Sequence, residues 1–125
     1  MKKIIFTSLL ALIFTSQVQA ACLTTTHPYS SGVLAPNSIN VVHGPFSVQA
    51  SKGCRGIIEV GVASYGGGTI PTVTLEEQVG SNWSQIATVR GRSTTMFVNN
   101  GNYRVVYTNQ TGIFAHASGY TKLSR

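Results

Sequence analysis

Apolar and polar residues alternate along this chain in short runs, and the period is two. In FSVQAS, Phe46, Val48 and Ala50 fall on one side, with Ser47, Gln49 and Ser51 on the other. In GIIEVGVASY, Ile58, Val60 and Val62 oppose Ile57, Glu59 and Gly61. TVTLEEQV sets Val73 and Leu75 against Thr74 and Glu76. NYRVVYTN places Tyr103, Val105 and Tyr107 on one face and Arg104, Val106 and Thr108 on the other. This alternation is the signature of strands with one buried face. The Tyr103/Tyr107 face of the last strand is read as core, since tyrosine buries its ring while its hydroxyl finds a partner. Arg104 then points outward.

INVVH, WSQIATVR, STTMFV and FAHASGYT bring the total to about eight strands, spaced roughly 8–12 residues apart. No helical period follows the first twenty residues. The pattern predicts an all-β fold: a single small antiparallel β-sandwich, immunoglobulin-like or jelly-roll-like, with a small closed barrel as the alternative.

Turn chemistry predicts the connections. Gly80-Ser81-Asn82 is expected to join TVTLEEQV to WSQIATVR, and Asn100-Gly101 to join STTMFV to NYRVVYTN as a hairpin. Gly91 offers a further reversal. Gly66-Gly67-Gly68 with Pro71 marks a longer connection between sheets. His43-Gly44-Pro45 is expected to separate two early strands, and Thr24 to Asn37 reads as an extended Ser/Thr/Pro-rich segment.

The start of the chain changes the picture. MKK is followed by the uncharged apolar run IIFTSLLALIFTS and then by QVQA, with small residues at Val18 and Ala20. That is the grammar of a secretory signal peptide, so residues 1–20 are expected to be removed and residues 21–125 to form the domain. A lipid anchor at Cys22 would call for a bulky aliphatic residue three positions earlier, where Gln19 stands. No membrane span is expected, and the predicted location is periplasmic or secreted.

An exported chain meets an oxidising space. Cys22 and Cys54 allow one pairing, expected to be a staple that closes a loop of about thirty residues and contributes roughly 3–4 kcal/mol.

Charge comes next. The full chain carries +6, and loss of Lys2 and Lys3 leaves +4, with Glu59, Glu76 and Glu77 as the only acidic side chains. Such a balance favours anionic partners through long-range attraction. The expected partner is an acidic protein or an anionic glycan or glycolipid. Nucleic acid is not expected in this compartment. An equal reading is a cationic protein whose charge has no specific role.

Catalysis finds little material. Glu76 and Glu77 are neighbours on a strand, so they point to opposite faces and do not form a carboxylate pair across a cleft. His27, His43 and His116 are spread along the sequence with no close pair, so no metal site is expected. No nucleophile elbow or phosphate loop occurs. The expectation is a non-enzyme without a cofactor. The sequons Asn82-Trp83-Ser84 and Asn109-Gln110-Thr111 are treated as chance, because the leader reads as bacterial.

Three candidate contact sites remain, all for binding. Arg90 and Arg92 flank Gly91 at a turn, and this is the preferred site. Lys52 and Arg55 flank Gly53-Cys54 in a turn that the disulfide would rigidify. Trp83, the one tryptophan, opens the strand that ends at Arg90. Seven strand steps, roughly 23 Å, separate Trp83 from Arg90, so the two are distinct sites. The set Trp83, Gln85, Ala87, Val89 competes with Ser84, Ile86, Thr88 for the core, and neither is cleanly apolar.

The functional expectation is a noncatalytic binding or accessory module of the bacterial envelope. A periplasmic inhibitor or immunity protein is an alternative, though a basic chain suits only an acidic target. A structural, adhesin or toxin subunit is a further alternative; its strand-donating segment would be Thr24 to Asn37, which Pro28 and Pro36 interrupt.

Overall fold

The computed structural model describes residues 22–65 and 70–125. The expected signal peptide and the Gly66-Gly67-Gly68 connection lie outside the described residues. Eight strands follow in order: β1 (Thr24–Leu34), β2 (Ser38–Val48), β3 (Gly56–Tyr65), β4 (Thr72–Val79), β5 (Asn82–Arg90), β6 (Thr94–Val98), β7 (Gly101–Asn109) and β8 (Ala115–Ser124).

Their pairing is nested. β1 pairs with β8, β2 with β7, β3 with β6 and β4 with β5, all antiparallel. The chain thus doubles back like one long ribbon with the β4–β5 turn at its tip. The ribbon then rolls up, bringing β8 against β3 and β7 against β4. Two four-stranded sheets result, β1-β8-β3-β6 and β2-β7-β4-β5. This is the jelly-roll order, one of the two sandwich forms that the alternation predicts.

The apolar faces meet between the sheets. Ile58, Val60, Val73, Leu75, Tyr103 and Tyr107 form the centre of the core. Tyr107 sends its hydroxyl across to the Gly61 carbonyl at 3.3 Å. Gly119 faces that hydroxyl, and a Cβ there would collide with it and with the Gly61 backbone.

Several local expectations are corrected. Asn100-Gly101 does not close a hairpin, because β6 lies in the first sheet and β7 in the second. Gly91 likewise sits in a link that crosses between sheets. A turn dipeptide specifies a change of direction and leaves the next hydrogen-bonded neighbour open. Among the consecutive strands only β4 and β5 are neighbours, joined at Gly80-Ser81 as expected. His43-Gly44-Pro45 does not split two strands. β2 runs through it with two register shifts and a cis Gly44–Pro45 bond. Gly44 is held at φ 112°, and a Cβ there would meet the Tyr103 carbonyl and Arg104 at 2.9–3.0 Å. Thr24 to Leu34 is a full strand, and its Pro28 is tolerated because β1 is an edge strand.

β5 resolves its own ambiguity with a bulge. Gln85 lies opposite Glu76 and Ala87 opposite Leu75, so Ile86 is the extra residue. The insertion shifts the phase of the strand. Before it, Trp83 and Gln85 face outward; after it, Ala87 and Val89 face the core and Thr88 and Arg90 face out.

Alternating strand directions gather the connections into two ends. The Cys22–Cys54 bridge, with Cα atoms 5.6 Å apart, staples one end, which also holds the β2–β3, β4–β5 and β6–β7 links. No helix among the described residues is long and apolar enough to cross a membrane.

Candidate functional site

The stapled end collects cations from two parts of the chain, the β2–β3 turn and the residue that follows β8. Lys52 and Arg55 flank the turn in which the Cys54 N–H donates to the Ser51 carbonyl at 2.8 Å. The turn is also tied to the β6–β7 link, where the Ala50 N–H donates to Asn100 Oδ1 at 3.0 Å. Arg125 arrives at the same end. Its N–H donates to the Leu23 carbonyl at 2.9 Å and its carbonyl accepts from the Leu23 N–H at 2.8 Å. Leu23 follows Cys22, whose bridge lands next to Arg55. The Arg55 guanidinium lies 4.2 Å from the centroid of Phe97, an exposed ring on β6. That stacking fixes the direction of an otherwise mobile cation. Glu59 stands farther along β3, opposite Lys122, and accepts from the Thr95 hydroxyl at 3.3 Å.

Arg90 and Arg92 lie at the opposite end, both exposed. Arg90 ends β5 on the outer face, opposite Thr72, and Arg92 follows in the link to β6. The two basic turns of the sequence are therefore separated by the length of the sandwich.

Trp83 lies on neither basic turn. It sits half-buried on the outer face of the second sheet, with Arg104 as its cation. The Arg104 guanidinium is 4.4 Å from the Trp83 ring centroid, and its Nε donates to Glu76 Oε1 at 2.7 Å. Glu77 lies alongside the inward-facing Tyr103, so the adjacent carboxylates diverge as alternation requires. Around the Glu76–Arg104 pair the face is polar: Thr74 and Thr88 hydroxyls are 3.4 Å apart, and the Gln85 amide donates to Thr88.

Two of the histidines meet in space although they are distant in sequence. His27 and His43 have ring centroids 5.1 Å apart where β1 and β2 run together at the sandwich edge. His43 also stacks on Phe46 at 4.5 Å and bonds Thr121 Oγ1 through Nδ1 at 3.0 Å. Thr121 donates onward to the Tyr29 hydroxyl at 3.3 Å, which donates to the Tyr120 carbonyl at 2.9 Å. That direction assigns the Nδ1 proton to His43. Burial, then the neighbouring His27, holds the His43 imidazole below its ordinary pKa. Burial raises the Tyr29 hydroxyl. Among the described residues no group of three His, Cys, Asp or Glu side chains is placed to hold a metal ion.

Comparison with known proteins gives no matching family model and no curated relative of significant similarity.

Sequence reasoning missed Arg125, the Arg104–Trp83 contact and the His27–His43 approach. The outward phase of Arg104 is readable from NYRVVYTN. Its meeting with Trp83 depends on β4 lying between β7 and β5, and no local signal encodes that order.

Proposed function

We propose that this chain is an exported, noncatalytic binding module that engages anionic glycans of a cell surface through its stapled basic end. The observation that carries the reading is the placement of Lys52, Arg55 and Arg125 at one end of the sandwich, on the segments joined by or next to the Cys22–Cys54 bridge. A guanidinium stacked on Phe97 and an ammonium on a disulfide-anchored turn are partly preorganised for carboxylate, sulfate or phosphate groups. The leader grammar and the disulfide support an oxidising compartment. The jelly roll itself leaves the ligand open, since one fold hosts many functions.

The sandwich edges favour a module that works through faces and turns over a strand-donating subunit. β1 carries Pro28 and a register shift, β2 two shifts, β5 a bulge, and β6 only five residues. Each feature discourages pairing with a foreign strand.

The test is capture of the protein lacking residues 1–20 on immobilised carboxylated and sulfated polysaccharides at low and high salt. Changing Lys52, Arg55 and Arg125 to Ser should abolish salt-sensitive capture, while changing Arg90 and Arg92 to Ser should leave most of it. Equal loss in both variants, or capture that high salt does not weaken, would sink this assignment. Stronger capture by an acidic protein than by any polysaccharide would transfer the site to a protein partner. Fractionation with mass measurement of the recovered chain tests export and cleavage after Ala20.

A further inference from the structure

The outer face of the second sheet holds a shallow, open depression of about 250 Å³. Val106 is among its lining residues, only 4 % exposed although it points away from the core. Ile39, 72 % exposed, supplies an apolar flank. The remaining lining is polar: the Thr74 and Thr108 hydroxyls, the Gln85 amide and the Glu76–Arg104 pair. None of these residues belongs to the basic turns.

We infer that this depression is a binding site for one neutral saccharide ring. Size limits the occupant first. Its volume falls below the roughly 300–1,000 Å³ of pockets for drug-sized ligands, so it holds about one ring. Chemistry selects the ring. A hexopyranose presents a C–H surface on its face and hydroxyls around its perimeter, each able to donate and accept. The exposed Ile39 side chain, beside a floor closed by the buried Val106, matches the first; the hydroxyl, amide, carboxylate and guanidinium groups match the second.

Charge selects a neutral ligand. Arg104 and Glu76 neutralise each other at 2.7 Å, and a charged ligand would compete with that pair for one member. A polyol leaves it whole, accepting from the remaining Arg104 N–H groups and donating to the second Glu76 oxygen. A flat nucleobase would need an open aromatic face, and no aromatic side chain is among the described residues lining the depression.

The site is also partly preorganised. Arg104 is fixed by Glu76, by the Trp83 ring and by the backbone of Gly44 packed beside its Cβ. Gln85 is tethered to Thr88. Few side-chain rotamers remain to be frozen on binding, which lowers its entropic cost. The inference extends the glycan reading to a second site and does not require the basic end.

The test is titration of the labelled protein with the methyl glycosides of glucose, galactose, mannose and N-acetylglucosamine. Amide shifts and the emission of Trp83, the sole tryptophan, are followed together. At least one glycoside should saturate in the millimolar range, moving the amides of Thr74, Gln85, Arg104, Val106 and Thr108 with one shared curve. High salt should leave that curve unchanged. Gln85→Ala and Thr108→Val should each weaken binding severalfold with little change in the thermal midpoint. The variant lacking Lys52, Arg55 and Arg125 should bind the ring normally, so failure of the basic-end reading and failure of this one are separate results. Shifts that do not saturate for any of the four glycosides, or that cluster elsewhere on the protein, would overturn the inference.

Discussion

Arg104 reaches from β7 across β4 to lie 4.4 Å from the ring centroid of Trp83 on β5. Two strand spacings, roughly 9–10 Å, are within the span of an arginine side chain. Glu76, on the strand between, holds the guanidinium midway. Arg104→Ala should shift Trp83 emission and lower the urea midpoint by the equivalent of about 1 kcal/mol, since the pair is partly exposed. Arg104→Lys should restore part of the stability and less of the emission, because an ammonium lacks the planar stacking fork. Emission identical in all three proteins would mean that the contact does not persist in solution.

Asn109 is 1 % exposed, and its amide donates to the carbonyls of Leu34, Ala35 and Ile113 at 2.8–3.2 Å. Its Oδ1 accepts from the Thr111 N–H and hydroxyl. One side chain thus joins the β1–β2 turn to the β7–β8 loop. Asn109→Ala leaves several buried groups unsatisfied and should cost about 2–4 kcal/mol by denaturant unfolding. The same burial gives the Asn109-Gln110-Thr111 triplet a structural role. A cost below that of an ordinary surface substitution would refute the tie.

Stability should depend on pH through His43. Its folded pKa lies below the ordinary 6.5, through burial first and His27 second. The unfolded chain therefore binds more protons in this window. Stability is complete above the unfolded value and declines as pH falls through the folded one. Urea midpoints measured from about pH 7.5 to about pH 5 should fall, and His43→Gln should flatten that slope. An unchanged slope in the variant would place the titration elsewhere.

The Cys22–Cys54 bridge spans a sequence separation of 32, for which the loop-entropy estimate is about 3–4 kcal/mol. The double variant Cys22→Ser/Cys54→Ser should unfold at correspondingly lower denaturant. Capture by acidic polysaccharide should weaken too, as Lys52, Arg55 and Arg125 lose their common anchor. Equal stability of the two proteins would remove the staple from the account of the fold.

What was legible in the sequence was local. The phase of β7 reads directly from NYRVVYTN: Tyr103, Val105 and Tyr107 are buried and Arg104 points out, as alternation requires. The phase of β5 does not read, because one inserted residue, Ile86, exchanges its faces halfway. Hairpin chemistry located Gly80-Ser81 correctly and misplaced Asn100-Gly101, since both turns reverse the chain but only the first returns it to the same sheet. The candidate sites follow the same division. Lys52 and Arg55 lie on one turn and were visible together. Arg125 joins them through β8 lying beside β1, a relation between the two ends of the domain.

The nested pairing has a kinetic consequence. Only the β4–β5 hairpin can form between consecutive strands, and every other ladder waits for a segment made later. β1 in particular finds no hydrogen-bonded neighbour until β8 exists. Such topologies fold slowly, because distant segments must meet before their contacts repay the closure entropy. A chain threaded through a membrane from its N-terminus could complete its second sheet once β7 had followed, but would keep β1 unpaired and the first sheet unfinished until β8 arrived, and that open sheet would meanwhile be exposed to any holding factor in the receiving compartment.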